Sequence, residues 1–404
     1  MAWLLGPVTL AAAESAPKPV LNEFPLAAWG QTPLNDADLK ARHEAHFNIV
    51  QVPAADADAI RRAGASGFRV MLLRPEEAGG PPSDWATYAR TFENVAGWAL
   101  GDAVTEAQTP QVAGWISGLR AADPSRIPMA TLPPSAEGNW GKTLGELLRA
   151  GLPAIAVQRS DWRADGTDDN SGFCTDIEAV RRISAKVGVP LWGMIHVVRS
   201  GPYRWASSSD LRFQAYGYLA AGARGLCYGT QWPSLRDLAT APPDEGEETP
   251  DEAQLAYRIG YEMEAIGGIN KEVLTLAPAL LPLKSTGLYF VGGGFAGLPK
   301  LDGSGQLIAS VTAEAALVGM LADAEGHAWA VLVNARHAKQ KSAQGLKSTL
   351  RVVVDSRVSR VTEVDRVTAY AKEIPLEAKS FYITIPGGTG SLLRLETAEP
   401  RKGS

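Results

Sequence analysis

The sequence predicts an α/β chain: a (β/α)8 TIM barrel followed by a C-terminal all-β sandwich. Three observations carry this. Between residues 24 and 271, short apolar runs bounded by turn residues alternate with longer runs of helical spacing, eight times in succession. Eight βα units over roughly 250 residues is the barrel's signature, whereas an open doubly wound sheet rarely needs eight. After about residue 272 the helical periodicity stops and short β-branched runs separated by turns take over, as in a sandwich. A length of 404 residues suits one large domain and one smaller one.

The expected strands are Phe24–Trp29, Phe47–Val52, Phe68–Leu73, Val95–Leu100, Ile127–Leu132, Ala154–Gln158, Pro190–Val197 and Gly225–Tyr228. Each is too short for a helix and rich in buried-strand residues. The helices between them are Asp36–His46, Ala57–Ala63, Asp84–Phe92, Thr109–Ala122, Trp140–Ala150, Thr175–Val187 and Ser209–Ala221, with an eighth over Pro250–Ile266. Asn35, Ser83 and the Ser207–Ser209 run supply start signals, and Gly64, Gly151, Gly188 and Gly222 supply stops. In the second domain the clearest strands are Trp329–Val333, Thr349–Val354, Val361–Val364 and Phe381–Ile385. The organisation is then a leader-like segment at 1–23, the barrel at 24–271, the sandwich at 272–396 and a polar tail at 397–404. The segment Asp237–Asp251 is Pro- and acid-rich and reads as an exposed loop.

Composition narrows the function classes. Lys and Arg total 39 against 44 Asp and Glu, a net charge of −5. That mildly acidic balance argues against nucleic acid as the main partner, since phosphate binding wants a basic face. Two cysteines, Cys174 and Cys227, exclude a disulfide-rich scaffold and a Cys-built zinc site. His43 and His46 stand three apart with no HExxH pattern and read as surface histidines. The Gly292–Gly294 run leads into no helix, so nucleotide binding has no support. No cofactor and no metal are expected. The apolar run Trp3–Ala13 ends in Ala11, Ala12 and Ala13, like the core and cleavage site of a secretory signal, although the positive leading region is missing. It is too short to span a membrane, and export is the expectation. Nothing in the sequence sets the oligomeric state.

Sites on this fold lie where strands end and βα loops begin. That rule brings Trp29, Gly30, Gln31, Gln51, Arg74, Asp102, Gln158, Asp161, Trp162, His196, Arg199, Tyr228, Gln231 and Trp232 to one mouth. Aromatic faces pack on the apolar faces of sugar rings while polar groups read hydroxyls, so Trp29, Gln31, Arg74, Gln158, Trp162, Tyr228, Gln231 and Trp232 are expected to bind a carbohydrate, an oligo- or polysaccharide. A single tryptophan there is ordinarily a structural cap, and it is the three at separate strand ends that favour stacking. Asp165, Asp168 and Asp169 have no EF-hand spacing and read as a solvated loop before a calcium site.

The stretch Trp98–Asp102 (WALGD), followed by a helix and Asp123-Pro124, resembles the fourth strand of clan A glycoside hydrolases, specifically β-galactosidase-like barrel proteins of polysaccharide-degrading bacteria. Leu211–Trp232 resembles their last helix–strand unit, and Met263–Leu283 the helix that closes their barrel and starts the β domain. His327–Asn334 and Ile385–Leu395 resemble strands of their sandwich, so the likeness runs from about residue 24 to 396. The resemblance implies an acid/base Glu directly after the Asp at the end of strand four and a nucleophile at the end of strand seven. Here those positions are Ala103 and the run Ile195-His196-Val197.

Glycoside hydrolysis needs two facing carboxyl groups, about 5–5.5 Å apart for retention and about 6.5–9.5 Å for inversion. Alanine donates no proton. The remaining candidates are Asp102 and Asp161 with His196 assisting. Asp102 is equally well explained as a structural carboxylate bonding loop amides, and Glu106 as a helix-start charge. Two expectations follow. One is a glycoside hydrolase with a displaced catalytic pair. The other is a pseudoenzyme that keeps the cleft and binds a glycan. A barrel enzyme of unrelated chemistry is disfavoured, since no metal triad, Schiff-base Lys or phosphate loop stands at the strand ends.

Overall fold

The computed structural model describes residues 23–30, 34–74, 81–133, 140–157, 170–199, 203–229, 251–292 and 299–397. Eight strands close into a parallel barrel in sequence order. They are β1 (Leu26–Trp29), β2 (Ile49–Pro53), β3 (Arg69–Leu73), β4 (Val95–Gly101), β5 (Ile127–Leu132), β6 (Ile155–Val157), β7 (Leu191–Ile195) and β8 (Leu226–Gly229). The helices between them are α1 (Asp36–Glu44), α2 (Ala57–Ala65), α3 (Pro82–Ala89), α4 (Thr109–Ala122), α5 (Trp140–Arg149), α6 (Asn170–Val187) and α7 (Ser208–Ala220). The chain divides into two compact units, residues 1–159 with 227–231, and residues 160–226 with 232–404.

In the first unit the parallel register sets which side chains share a layer. Gln51 pairs with Met71 and Met71 with Gly97, while Leu72 pairs with Trp98. Trp98 packs on Trp85 of α3, so its layer faces the helices. Side chains alternate along a strand, so Gln51, Met71 and Gly97 face the barrel interior. Gly97 is required there: a Cβ would lie 2.0 Å from the carbonyl oxygen of Ile127 on β5. The two backbones are therefore drawn close where β5 begins.

In the second unit α8 (Glu252–Leu280) opens with a capping box between Asp251 and Gln254. It runs well past the expected end at Ile266. The sandwich has a six-stranded sheet in the order β15-β14-β17-β12-β11-β9 and a three-stranded sheet in the order β10-β13-β16. Its strands are β9 (Lys284–Gly292), β10 (Ile308–Thr312), β11 (Ala315–Ala322), β12 (Ala328–Asn334), β13 (Ser348–Val354), β14 (Val358–Val364), β15 (Ala371–Ile374), β16 (Ser380–Ile385) and β17 (Gly390–Thr397). The pairings between their strands are antiparallel, and alternate residues such as Val318, Leu332, Val352, Phe381 and Leu393 fill the core between the sheets. Both cysteines are buried and free. No helix among the described residues is long and apolar enough to cross a membrane.

Candidate functional site

In the first unit, the residues after β4 make a compact polar cluster. Asp102 follows the strand directly, and its Oδ1 accepts a hydrogen bond from Trp29 Nε1 at 2.7 Å. Ala103 takes φ +49°, a left-handed conformation that costs an L-residue about 1–2 kcal/mol. Thr131 of β5 holds that bend. Its Oγ1 accepts from the Ala103 N–H at 2.8 Å and its carbonyl accepts from the Val104 N–H at 2.8 Å. The Thr131 hydroxyl is also bonded to the Asp102 side chain. As the hydroxyl oxygen already accepts from Ala103, its proton is free to point at the carboxylate.

Asp102 is exposed at the mouth, yet protein atoms crowd it. Desolvation raises its carboxyl above the ordinary aspartate range, and the Trp29 and Thr131 hydrogen bonds pull it part of the way back. Cys227 of β8 lies within reach of that charge, and burial together with Asp102 pushes its thiol up. Beside this cluster, Gln51 is 3% exposed. Its Oε1 accepts from Gly30 N at 2.7 Å, and its Nε2 has no hydrogen-bond partner among the described residues. A buried amide donor left over at a strand end is suited to a ligand oxygen. The arrangement offers one carboxyl with an oxygen fixed by Trp29, and one amide donor, Gln51 Nε2, in the same unit.

The other expected residues fall differently. Trp29 is 3% exposed, so its surface has little room for a sugar, and its indole N–H positions Asp102 instead. Tyr228 is fully buried with its ring edge-on to Phe47 at 5.5 Å. Its neighbour Cys227 is the residue that senses Asp102, so strand alternation turns Tyr228 to the opposite face, and the expected sugar contact at Tyr228 is corrected to core packing. Arg74 is half-buried, with its guanidinium 4.5 Å over the Trp115 ring. Glu106 is exposed and paired with Lys142. Gln31, Gln158, Asp161, Trp162, Gln231 and Trp232 lie outside the described residues.

His196 belongs to the second unit and has its own partners. Its ring Nε2 donates to the Arg204 carbonyl at 2.9 Å, and its backbone is bracketed by Gln214, at 2.7 Å and 2.9 Å. Burial lowers its pKa below the usual imidazole value, against the Arg204 carbonyl hydrogen bond that raises it. Around it lies a network that sequence reasoning missed. Asp210, in the first turn of α7, accepts from Arg204 Nη1 at 2.6 Å, from His337 Nδ1 at 2.7 Å and from Ser207 N at 2.7 Å. Desolvation opposes ionisation, but the His337 and Arg204 partners outweigh it and hold Asp210 well below the usual carboxylate range. His337 and Asp210 are 127 residues apart, so no spacing signals the pair. Thr131 was also missed; its place on the inward layer at the end of β5 was the available sign. Among the described residues, Asp323, Glu325 and His327 at the β11–β12 turn have ligand atoms within 4.8 Å of one another, close enough for a cation, but Asp323 is already bonded to the His327 ring.

No family model and no curated protein matches the sequence. Solved structures do. A protein described as a glycoside hydrolase is 12% identical, with 93% of each chain covered and a TM-score of 0.51. The fold is glycoside-hydrolase-like. An α-L-arabinofuranosidase from Thermotoga maritima aligns over 92% of this chain and 93% of its own at 11% identity, with a TM-score of 0.44. An α-amylase from Anoxybacillus aligns over 90% of each chain at 9% identity, with a TM-score of 0.45. The described architecture, barrel then sandwich, is the one the first of these shares.

Proposed function

We propose that the protein acts on an oligo- or polysaccharide at the strand ends around β4, with Asp102 as the proton-carrying carboxyl. The observation that carries this is the state of Asp102. It sits at the fourth strand end of a glycoside-hydrolase-like barrel, desolvated and raised above the ordinary range, with one oxygen held by Trp29. A general acid must keep its proton near working pH, and desolvation is the usual way to ensure that. Gln51 Nε2 supplies a donor for a sugar hydroxyl beside it. Export, expected from the leader-like segment, would bring such a protein to polymers outside the cell.

A second reading is carried by Ala103. The acid/base Glu implied by the resemblance is replaced by a methyl group, and its backbone is pinned in the left-handed region by Thr131. That favours a glycan-binding pseudoenzyme. Both readings are tested by incubating the full chain with a broad panel of oligo- and polysaccharides and reading products by mass spectrometry, with Asp102→Asn beside it. Hydrolysis by the native protein and not by the variant is the expected result. Binding without product supports the second reading, and neither product nor binding across the panel overturns both.

A further inference from the structure

The second unit contains a groove of about 340 Å³ that the proposed reaction does not use. It is lined by side chains of α7, α8 and the sandwich loops, among them Arg212, Tyr261, Glu264, Glu272, Gln344 and Arg366. That volume lies at the small end of the range for ligand sites. We propose that this groove is a second carbohydrate site, and that it selects a short oligosaccharide bearing a carboxylate, that is, a uronic-acid sugar. It rests on carbohydrate being the ligand class, as proposed above, but on no residue of the Asp102 cluster.

Glu272 receives both guanidinium nitrogens of Arg212, at 2.7 Å and 3.1 Å, and the Tyr216 hydroxyl at 2.6 Å. Its acceptor capacity is largely committed to them. Arg366 Nε lies 3.6 Å from the same carboxylate, too far for a hydrogen bond. That Nε is buried and has no hydrogen-bond partner among the described residues. The carboxylate already taken by Arg212 and Tyr216 thus leaves Arg366 with a buried donor at this end. A planar carboxylate is the ligand group that answers a guanidinium best.

The other end has different chemistry. Tyr261 stands 11 positions before Glu272 on α8, roughly 16 Å along the axis at about 1.5 Å per residue. The residue is 40% exposed, and the Arg258 guanidinium stands 5.6 Å from its ring centroid. Tyr257, one turn earlier on the same face, is 78% exposed. Exposed aromatic rings beside a polar groove suit the apolar faces of sugar rings. Glu264 is nearer this end, two turns from Glu272, where it accepts hydroxyls without opposing an anion at Arg366. The groove therefore has a direction: carboxylate at Arg366, rings toward Tyr261.

The test is isothermal titration calorimetry of the full chain with three acidic trisaccharides, of galacturonate, mannuronate and guluronate, and with their methyl esters. The ester keeps every ring and removes the charge. At least one acid trimer is expected to bind, with its ester at least tenfold weaker. Arg366→Gln and Tyr261→Ala are each expected to weaken the acid trimer at least tenfold, while Asp102→Asn leaves it unchanged. Tyr261 is a surface residue, so its variant stays informative should Arg366→Gln fold poorly. The proposal is overturned if no acid trimer binds, if acid and ester bind alike, or if the loss follows Asp102→Asn instead. Failure here, with glycans still bound or cut at the Asp102 mouth, removes the groove alone. Failure of every carbohydrate at both places removes the parent reading.

Discussion

The Trp29–Asp102 hydrogen bond makes a quantitative statement about acidity. Only the ionised carboxylate accepts the indole N–H at full strength, so the bond lowers the Asp102 pKa against the desolvation that raises it. Hydrogen bonds to charged groups contribute about 1.5–3 kcal/mol, and one pKa unit corresponds to about 1.4 kcal/mol. Asp102 also touches water, which screens the interaction, so the low end of that range applies. Trp29→Phe keeps an aromatic ring in a site that is 3% exposed and deletes the donor. The Asp102 pKa is expected to rise by about one unit. The assay is a carbon-13 NMR titration of the aspartate carboxyls, with the Asp102 signal assigned by its absence from Asp102→Asn. A midpoint that stays put or falls in Trp29→Phe would refute the reasoning, because the bond would then contribute nothing to the ionised form.

Three further outcomes concern the second unit. Asp210→Ala removes the carboxylate that accepts from Arg204, whose side chain is 1% exposed, and is expected to cost about 3–5 kcal/mol in chemical denaturation; a loss under 1 kcal/mol would deny the network its role. Burial raises Glu262, wholly inside the protein, to about 7 despite Arg258. The folded state then binds more protons than the unfolded one, so stability falls as pH rises from about 4 to about 7, by roughly 3 kcal/mol. Glu262→Gln should remove that fall, so that its stability relative to the native protein rises between pH 5 and pH 8; a constant difference would contradict it. At Gly319 of β11 a Cβ would lie 2.0 Å from the Ala220 carbonyl oxygen at the end of α7, so Gly319→Ala should cost about 1–3 kcal/mol, visible as a lowered Tm.

Much of the barrel was readable because its signals are local. Thr109–Ala122 and Ile127–Leu132 fall where expected to the residue, since Pro and turn residues bound both. The longest helix was expected to end at Ile266, just before Gly267 and Gly268, although Met263–Leu283 as a whole resembled a barrel-closing helix. Yet Ile266, Ile269, Val273, Leu276 and Leu280 keep helical spacing and are all buried, and that packing outweighs the glycines. Only four sandwich strands stood out among nine. β15 is an exposed edge with the sequence AKEI, and its pairing with β14 rather than its composition makes it a strand.

The position of Asp102, directly after β4, was readable from the strand-end rule alone. The use of Trp29 was not, because a sequence shows an indole but not whether it offers its face or its N–H. Tyr228 was misplaced by parity: one residue along a strand exchanges the barrel's inside for its outside. Thr131 acts through a hydroxyl that bridges two turns of chain, and Asp210 through a histidine in another domain-scale element; neither relation has a spacing to find.

The most direct test of a carbohydrate at the Asp102 mouth watches the Trp29 indole itself. Its N–H signal in a nitrogen-15 spectrum is assigned by its loss in Trp29→Phe, and the panel oligosaccharides are then titrated in. A ligand seated on Asp102 changes the acceptor of that proton, so the Trp29 signal should shift in step with binding and stay still in Asp102→Asn. If glycans bind or turn over while the Trp29 signal does not move, or if none in the panel moves it, the site is elsewhere and the account is contradicted.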